Sequence, residues 1–363
     1  MPGEQPQRGD VLVLVGTRKG GFVLWSDERR RDWRRHPVHA GWMLHHMNFD
    51  PRDQSLYAAT NGEVFGALVQ RSEDFGQTWQ TRNEKLDYPA ESPHRIRKVW
   101  NVAPAGADAP ERVFAGVERA GLFRSDDRGQ TWAGVAGLNG HTTSPEWQPG
   151  NGGLCLHSIT LDPQDPKRMY VGISAVGVLR SDNGGRTWAM KNKNVRADFL
   201  PDPYPEFGQC VHKLRLHPAR PDVLYQQNHC GVYRSDDRGD TWVDISEGLP
   251  SRFGFPRALH AYDPDTVYVV PHDDNRLVPD GQMAVWRSRD RGASWRSLTQ
   301  GLPGGAYLTI LREAMDTDSC DRCGVYVGTE TGELFFSRDE GDSWELLADM
   351  LPPVYSVSTG RVG

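Results

Sequence analysis

Cysteine is scarce in this chain, with five among 363 residues, too few for a disulfide scaffold. No run approaches the roughly 20 consecutive apolar residues that span a bilayer. The polar Met1–Asp10 runs straight into Val11-Leu12-Val13-Leu14-Val15, without the charged and apolar regions of a secretory leader. Charge of one sign is also missing. The 42 basic and 48 acidic residues are well mixed and leave a formal −6, which argues against nucleic acid or a membrane surface as partner. A helical period is hard to find anywhere. These absences give the expectation of a soluble, cytoplasmic, β-rich protein.

What is abundant is punctuation and repetition. There are 39 glycines, 25 prolines and 12 tryptophans, a composition suited to many short strands joined by tight turns. Ser125-Asp126-Asp127-Arg128-Gly129-Gln130-Thr131-Trp132 recurs at Ser72–Trp79, Ser181–Trp188, Ser235–Trp242, Ser288–Trp295 and Ser337–Trp344. The shared skeleton is Ser-x-Asp-x-Gly-x-Thr/Ser-Trp, with Asn183 in place of Asp once. A worn copy keeps Ser26 and Trp33 but has Glu28 and Arg30 at the Asp and Gly positions. Successive serines lie 46 to 56 residues apart, a repeat that decides the fold before any single element does. The Asp accepts backbone N–H groups and fixes a turn. The Gly permits a positive φ. The Trp lands on the returning strand, where its large face packs.

These copies resemble the Asp box (BNR repeat) of sialidase-type, glycosyl-hydrolase-like β-propellers, and the resemblance covers nearly the whole chain. It implies that the boxes are scaffold rather than chemistry. Each repeat reads as four strands. The residues before Ser26 and after Ser337 together make about one repeat, so Val354-Tyr355-Ser356-Val357 is expected to supply the innermost strand of the blade that Val11 begins. The fold expected is all-β: a single seven-bladed propeller over 1–363 with four-stranded antiparallel blades, blade 1 being shared by 1–40 and 352–363. That closure leaves no long open edge. Sialidases have six blades. The family's Arg-Ile-Pro motif is also missing, Arg95-Ile96-Arg97 being the nearest match, so sialic acid cleavage is not expected.

Innermost strands are expected at His45–Pro51, Lys98–Pro104, His157–Pro163, His212–Pro218 and Leu259–Pro264. Strand parity places the boxes on one face, the bottom. The long loops Thr81–Arg97, Leu138–Gly153, Met190–Gly208 and His272–Gln282 fall on the other, the top, where function is expected. Two innermost strands open alike, Cys155-Leu156-His157 and Cys210-Val211-His212, with Cys and His two apart and on one side. His229-Cys230 follows Gln226-Gln227-Asn228 in a top loop. Imidazole and thiolate suit Zn, Fe or Cu, with Mn also kept open, and His157, His212, His229 and Gln226, similar in type to the His and Gln metal ligands of seven-bladed polysaccharide-lyase propellers, form the candidate metal set. The same histidines serve equally as acid and base near neutral pH, or as packing. Cys320-Asp321-Arg322-Cys323 falls on the bottom and reads as a loop clip or two free thiols.

Around the top, Lys98 and Glu118 join His157, His212 and His229 as candidate catalytic groups. Arg257, Trp100, Arg119 and His45 are candidates for holding substrate, arginine being matched to carboxylate or sulfate. The expected function is a hydrolase or lyase acting on a carbohydrate or small anionic ligand at the top, with a divalent transition metal as an optional cofactor. A noncatalytic protein-binding scaffold or assembly factor is the alternative.

Overall fold

The computed structural model describes residues 4–62, 66–81 and 86–363. Met1–Gly3 of the polar lead-in and residues 82–85 of the expected Thr81–Arg97 loop lie outside them. The described residues form seven four-stranded antiparallel sheets, each a blade. In blade 1 the order from the axis outward is Val354–Arg361, Val11–Thr17, Gly20–Ser26 and Arg34–Val38. The closing strand pairs as the sequence suggests, with Val357 opposite Val15 and Arg361 opposite Val11. Blades 2 to 7 follow in chain order, with innermost strands at Met43–Asp50, Val99–Pro104, Leu156–Leu161, Val211–His217, Gly254–Leu259 and Met315–Thr317. The sixth differs from expectation, since the strand ends at Leu259 and residues 260–264 form the turn after it. Pro256 interrupts the apolar run and hides it, because proline removes a ladder donor.

The core lies between blades. Tyr57, Tyr170, Tyr225, Tyr268 and Tyr326 occupy the same position on the second strands of five blades, and all are fully buried. The box of the next blade sits against this column. A Cβ on Gly129 would lie 3.8 Å from the Tyr57 ring, and one on Gly341 would lie 3.7 Å from the Tyr268 ring. Each box therefore closes its own hairpin and abuts the previous blade.

The turn chemistry matches the motif. Asp127 accepts the Ser125 hydroxyl at 2.7 Å, the Thr131 N–H at 2.9 Å and the Thr131 hydroxyl at 2.6 Å. The Gly129 N–H, at φ +87°, donates to Ser125 Oγ at 2.8 Å, and Trp132 Nε1 donates to the Gly129 carbonyl at 3.0 Å. Burial alone would raise the Asp127 carboxyl, but the hydrogen bonds from Thr131 and Ser125 outweigh it and hold it below the usual range. Asp74, Asp237, Asp290 and Asp339 are lowered in the same way. A depressed folded pKa supplies stability above the unfolded value, about 3.9 for Asp, and loses it as pH falls through the folded value. Urea unfolding followed from pH 7 down to 3 is therefore expected to show stability dropping once pH passes below about 4. At pH 7, Asp127→Ala is expected to cost about 2 kcal/mol. Asp127→Asn should cost less, because Asn183 keeps the N–H bond of Thr187 at 2.9 Å and its hydroxyl contact at 2.7 Å.

The worn box has a reason for its wear. Arg30 stands where the others have Gly, at φ 54°, and its guanidinium reaches across the ring joint. It pairs with buried Asp318 of blade 7 at 3.0 Å and donates to the Arg322 carbonyl at 2.8 Å. Asp318 also accepts the Tyr326 hydroxyl at 2.7 Å and the Cys320 and Gly324 N–H groups. The Cys320–Cys323 loop is thus organised by a carboxylate, and both thiols are free.

Candidate functional site

Six of the seven innermost strands carry a register shift near the top, leaving Tyr355, His45, Trp100, His157, His212 and the Phe255-Pro256 pair out of ladder pairing. Bulges re-aim side chains, and here His45, Trp100, His157 and Tyr355 turn into one cavity. Blade 7 contributes Arg312 and Glu313 just before its shorter strand.

Met43, His45, Lys98, Trp100, His157, Leu311, Arg312, Glu313 and Tyr355 line a cavity of about 220 Å³ at this mouth. Three rings stand in a row. His45 stacks on Trp100 with centroids 4.8 Å apart and on Tyr355 at 5.1 Å. Lys98 Nζ lies 5.6 Å from the Trp100 ring centroid, extending the row with a cation. Burial, with Lys98 adding to it, lowers the His45 pKa to about 3, so the imidazole is neutral. His45 Nε2, Trp100 Nε1, Arg312 Nε and Glu313 Oε1 are buried atoms without a partner among the described residues. A buried polar group left so is costly.

Below the mouth, charges meet across the axis. Lys213 of blade 5 donates to Glu313 of blade 7, and His46 of blade 2 approaches the same carboxylate at 3.8 Å. Arg215 reaches Asp316 at 3.3 Å, and Asp316 accepts the Thr359 N–H of the closing strand at 3.0 Å. Burial alone would raise the Glu313 carboxyl, but the Lys213 ammonium, with His46 and Arg215, holds it down to about 2.

The structure brings His45, Lys98, Trp100 and His157 together at the mouth, as expected of top-face residues. His157 is saturated there: Nε2 faces the Val211 carbonyl at 2.9 Å, and Nδ1 faces the Ser158 hydroxyl at 3.0 Å. A carbonyl only accepts, so Nε2 carries the proton. Ser158 Oγ already takes the Leu214 N–H, so its own hydrogen goes to Nδ1. Neither nitrogen is left for a metal. Glu118 stands beside the mouth, its N–H bonded to the Lys98 carbonyl at 3.0 Å. His212 and His229 gather instead with Cys210, on the far side of Phe255.

Three residues part from the set. Arg257 is fully buried against the Tyr225 ring at 5.4 Å, not on the rim. The late reading of the sixth innermost strand put it in a loop, whereas it lies mid-strand. Gln226 is fully buried in the strand Arg220–Asn228, outside the cluster of Cys210, His212 and His229. Arg119 is exposed and lines a side cavity with Tyr88, His94 and Trp147. Sequence reasoning passed over Tyr355 and Glu313. Aligning Val354–Val357 with the other innermost strands would have flagged Tyr355 as the counterpart of His45.

A family model described as BNR-Asp box repeat matches residues 232–245. The xyloglucanase Xgh74A of Acetivibrio thermocellus is 24% identical over 285 residues, 69% of this chain and 31% of that protein. The chain thus spans about a third of the length of the curated xyloglucanases it matches. Among solved structures, an ancestral GH74 enzyme superimposes with a TM-score of 0.62 at 19% identity, covering 84% of this chain and 38% of that one. YCF48 bound to D1 peptide gives 0.51 at 13% identity, over 99% and 96%. With its repeated boxes and seven four-stranded blades, the chain is an Asp-box β-propeller in fold, similar to these glycosyl-hydrolase and YCF48 propellers.

Proposed function

We propose that the protein is a carbohydrate-active propeller whose mouth binds one sugar unit carrying a carboxylate. The unpartnered polar atoms among the stacked rings of the mouth carry this reading, since a hydroxylated ring would satisfy them. The cavity, about 220 Å³, is below the roughly 300–1,000 Å³ of pockets for drug-sized ligands. It suits the end of a chain rather than its middle. Lys98 and Arg312 supply the positive charge.

Elimination suits these groups better than hydrolysis. Glycoside hydrolysis uses two carboxyl groups flanking the bond, whereas among the described residues the mouth lining holds one carboxylate, Glu313, tied to Lys213. In elimination the two cations hold the uronate carboxylate, and neutral His45 takes the proton from the carbon beside it. A carbon–carbon double bond forms as the neighbouring carbon–oxygen bond breaks. Tyr355 protonates the departing oxygen.

Titration with neutral and uronic monosaccharides and short oligosaccharides tests this. Trp100→Ala and His45→Ala are expected to weaken binding by about 1–2 kcal/mol, roughly 5- to 30-fold. Lys98→Met should affect uronic ligands alone. An unsaturated product absorbing in the ultraviolet should appear and be lost in His45→Ala. Equal binding by these variants would refute the mouth as the site. A noncatalytic scaffold is the second reading: Lys98 and Arg312 also suit the terminal carboxylate of a peptide, and YCF48, whose structure holds a D1 peptide, shares the ring over its whole length. Binding of peptides but of no sugar would select it.

A further inference from the structure

A second constellation lies across Phe255 from the mouth. The ring of Phe255 packs against His212 with centroids 4.7 Å apart, and the Arg312 guanidinium sits 5.1 Å from the same ring. Here Cys210 Sγ and one ring nitrogen each of His212 and His229 lie within 4.8 Å of one another. Cys210 and His212 come from the start of one innermost strand. His229 comes from the two-residue turn that follows the neighbouring strand of the same blade.

We propose that Cys210, His212 and His229 form a three-ligand site for a borderline-soft divalent cation, zinc fitting best. Zinc takes sulfur at about 2.3 Å and imidazole nitrogen at about 2.0–2.1 Å, so tetrahedral donors stand roughly 3.3–3.8 Å apart. Cys210 Sγ and His212 Nε2 are already 3.5 Å apart. The second observation is the tautomer of His212. Its Nδ1 faces the Gly254 carbonyl at 2.6 Å, an atom that only accepts. Nδ1 therefore carries the hydrogen, and the Nε2 lone pair is aimed at the sulfur, the outer-shell arrangement of zinc-bound histidines. His157, with both nitrogens committed, has no such lone pair.

His229 is exposed and packs edge-on against Phe199 and Phe253 at 5.2 and 4.9 Å. It closes the third position by a side-chain rotation. Thiolate and imidazole together select zinc over magnesium or calcium, which prefer oxygen. Three protein ligands leave the fourth position to solvent or a ligand anion. Binding displaces the Cys210 thiol proton to solvent as the sulfur–metal bond forms.

Protein stripped with a chelator and titrated with zinc, then with cobalt, tests the site without reference to any activity. One equivalent of zinc should bind and survive gel filtration. The cobalt form should show tetrahedral d–d bands and a near-ultraviolet thiolate charge-transfer band. Cys210→Ser should abolish the charge-transfer band, and His229→Ala, at an exposed position that leaves the fold intact, should weaken affinity at least about tenfold. The proposal is overturned if no equivalent of zinc is retained, if the cobalt spectrum lacks the sulfur band, or if His229→Ala binds as the parent does. Sugar binding by the metal-free protein reports on the mouth separately.

Discussion

Replacing Glu313 with alanine is expected to destabilise the propeller by about 3–5 kcal/mol, the cost of leaving a buried charge without its partner. The mechanism is local. Glu313 and Lys213 are 6% and 3% exposed, so water cannot take over the ammonium once the carboxylate is gone. Blades 5 and 7 also lose their direct tie across the axis, and His46 loses the carboxylate it faces at 3.8 Å. The double variant Glu313→Leu with Lys213→Met removes both charges and is expected to recover much of the loss, since well-packed apolar replacements of buried pairs are often neutral or stabilising. Urea unfolding of the two single variants and the double variant measures the coupling. If Glu313→Ala unfolds within about 1 kcal/mol of the parent, the cross-axis pair is not a structural tie.

The second large effect concerns ring closure. Deleting Val354–Gly363 removes the strand whose Val354 and Val357 are fully buried, together worth about 3–6 kcal/mol of apolar transfer. It also unpairs the whole of Val11–Thr17 along one side. Against a total stability of about 5–15 kcal/mol, that loss is expected to leave a chain that no longer melts in one cooperative step and that associates through its bare edge. A synthetic peptide of residues 350–363 should restore monomeric behaviour in size-exclusion chromatography. A truncated chain that melts within a few degrees of the parent would show that the ring does not depend on this clasp.

How much of this was written in the chain depends on how local the physics is. The boxes were legible because Ser, Asp, Gly and Trp satisfy one another within eight residues, so their spacing alone carries the turn. Closure by a strand beginning at Val354 followed from counting residues against the repeat length, with no contact needed. The gathering of His45, Lys98, Trp100 and His157 on the top followed from strand parity. Parity alone did not settle the two Cys-x-His pairs, since both strands carry the same bulge. Cys210 and His212 do meet, but Cys155 Sγ turns to the Gly152 carbonyl at 2.8 Å while His157 turns to blade 5. The same dipeptide spacing thus gives two outcomes, decided by neighbours some 50 residues away. Arg257 was misplaced because proline masked its strand. Glu313 went unseen because its partners, Lys213 and His46, are distant in sequence and meet it only on the axis.

The joint between Val11–Thr17 and Val354–Arg361 has a consequence for synthesis on the ribosome. The first strand to emerge waits for the last, roughly 340 residues later, which at about 5–20 residues per second is on the order of half a minute. Throughout that interval an apolar ribbon, Val-Leu-Val-Leu-Val, has a vacant flank that any other nascent chain could occupy. Translation speed and chaperone supply, more than the finished molecule's own stability, should therefore set how much of this protein a cell recovers in folded form.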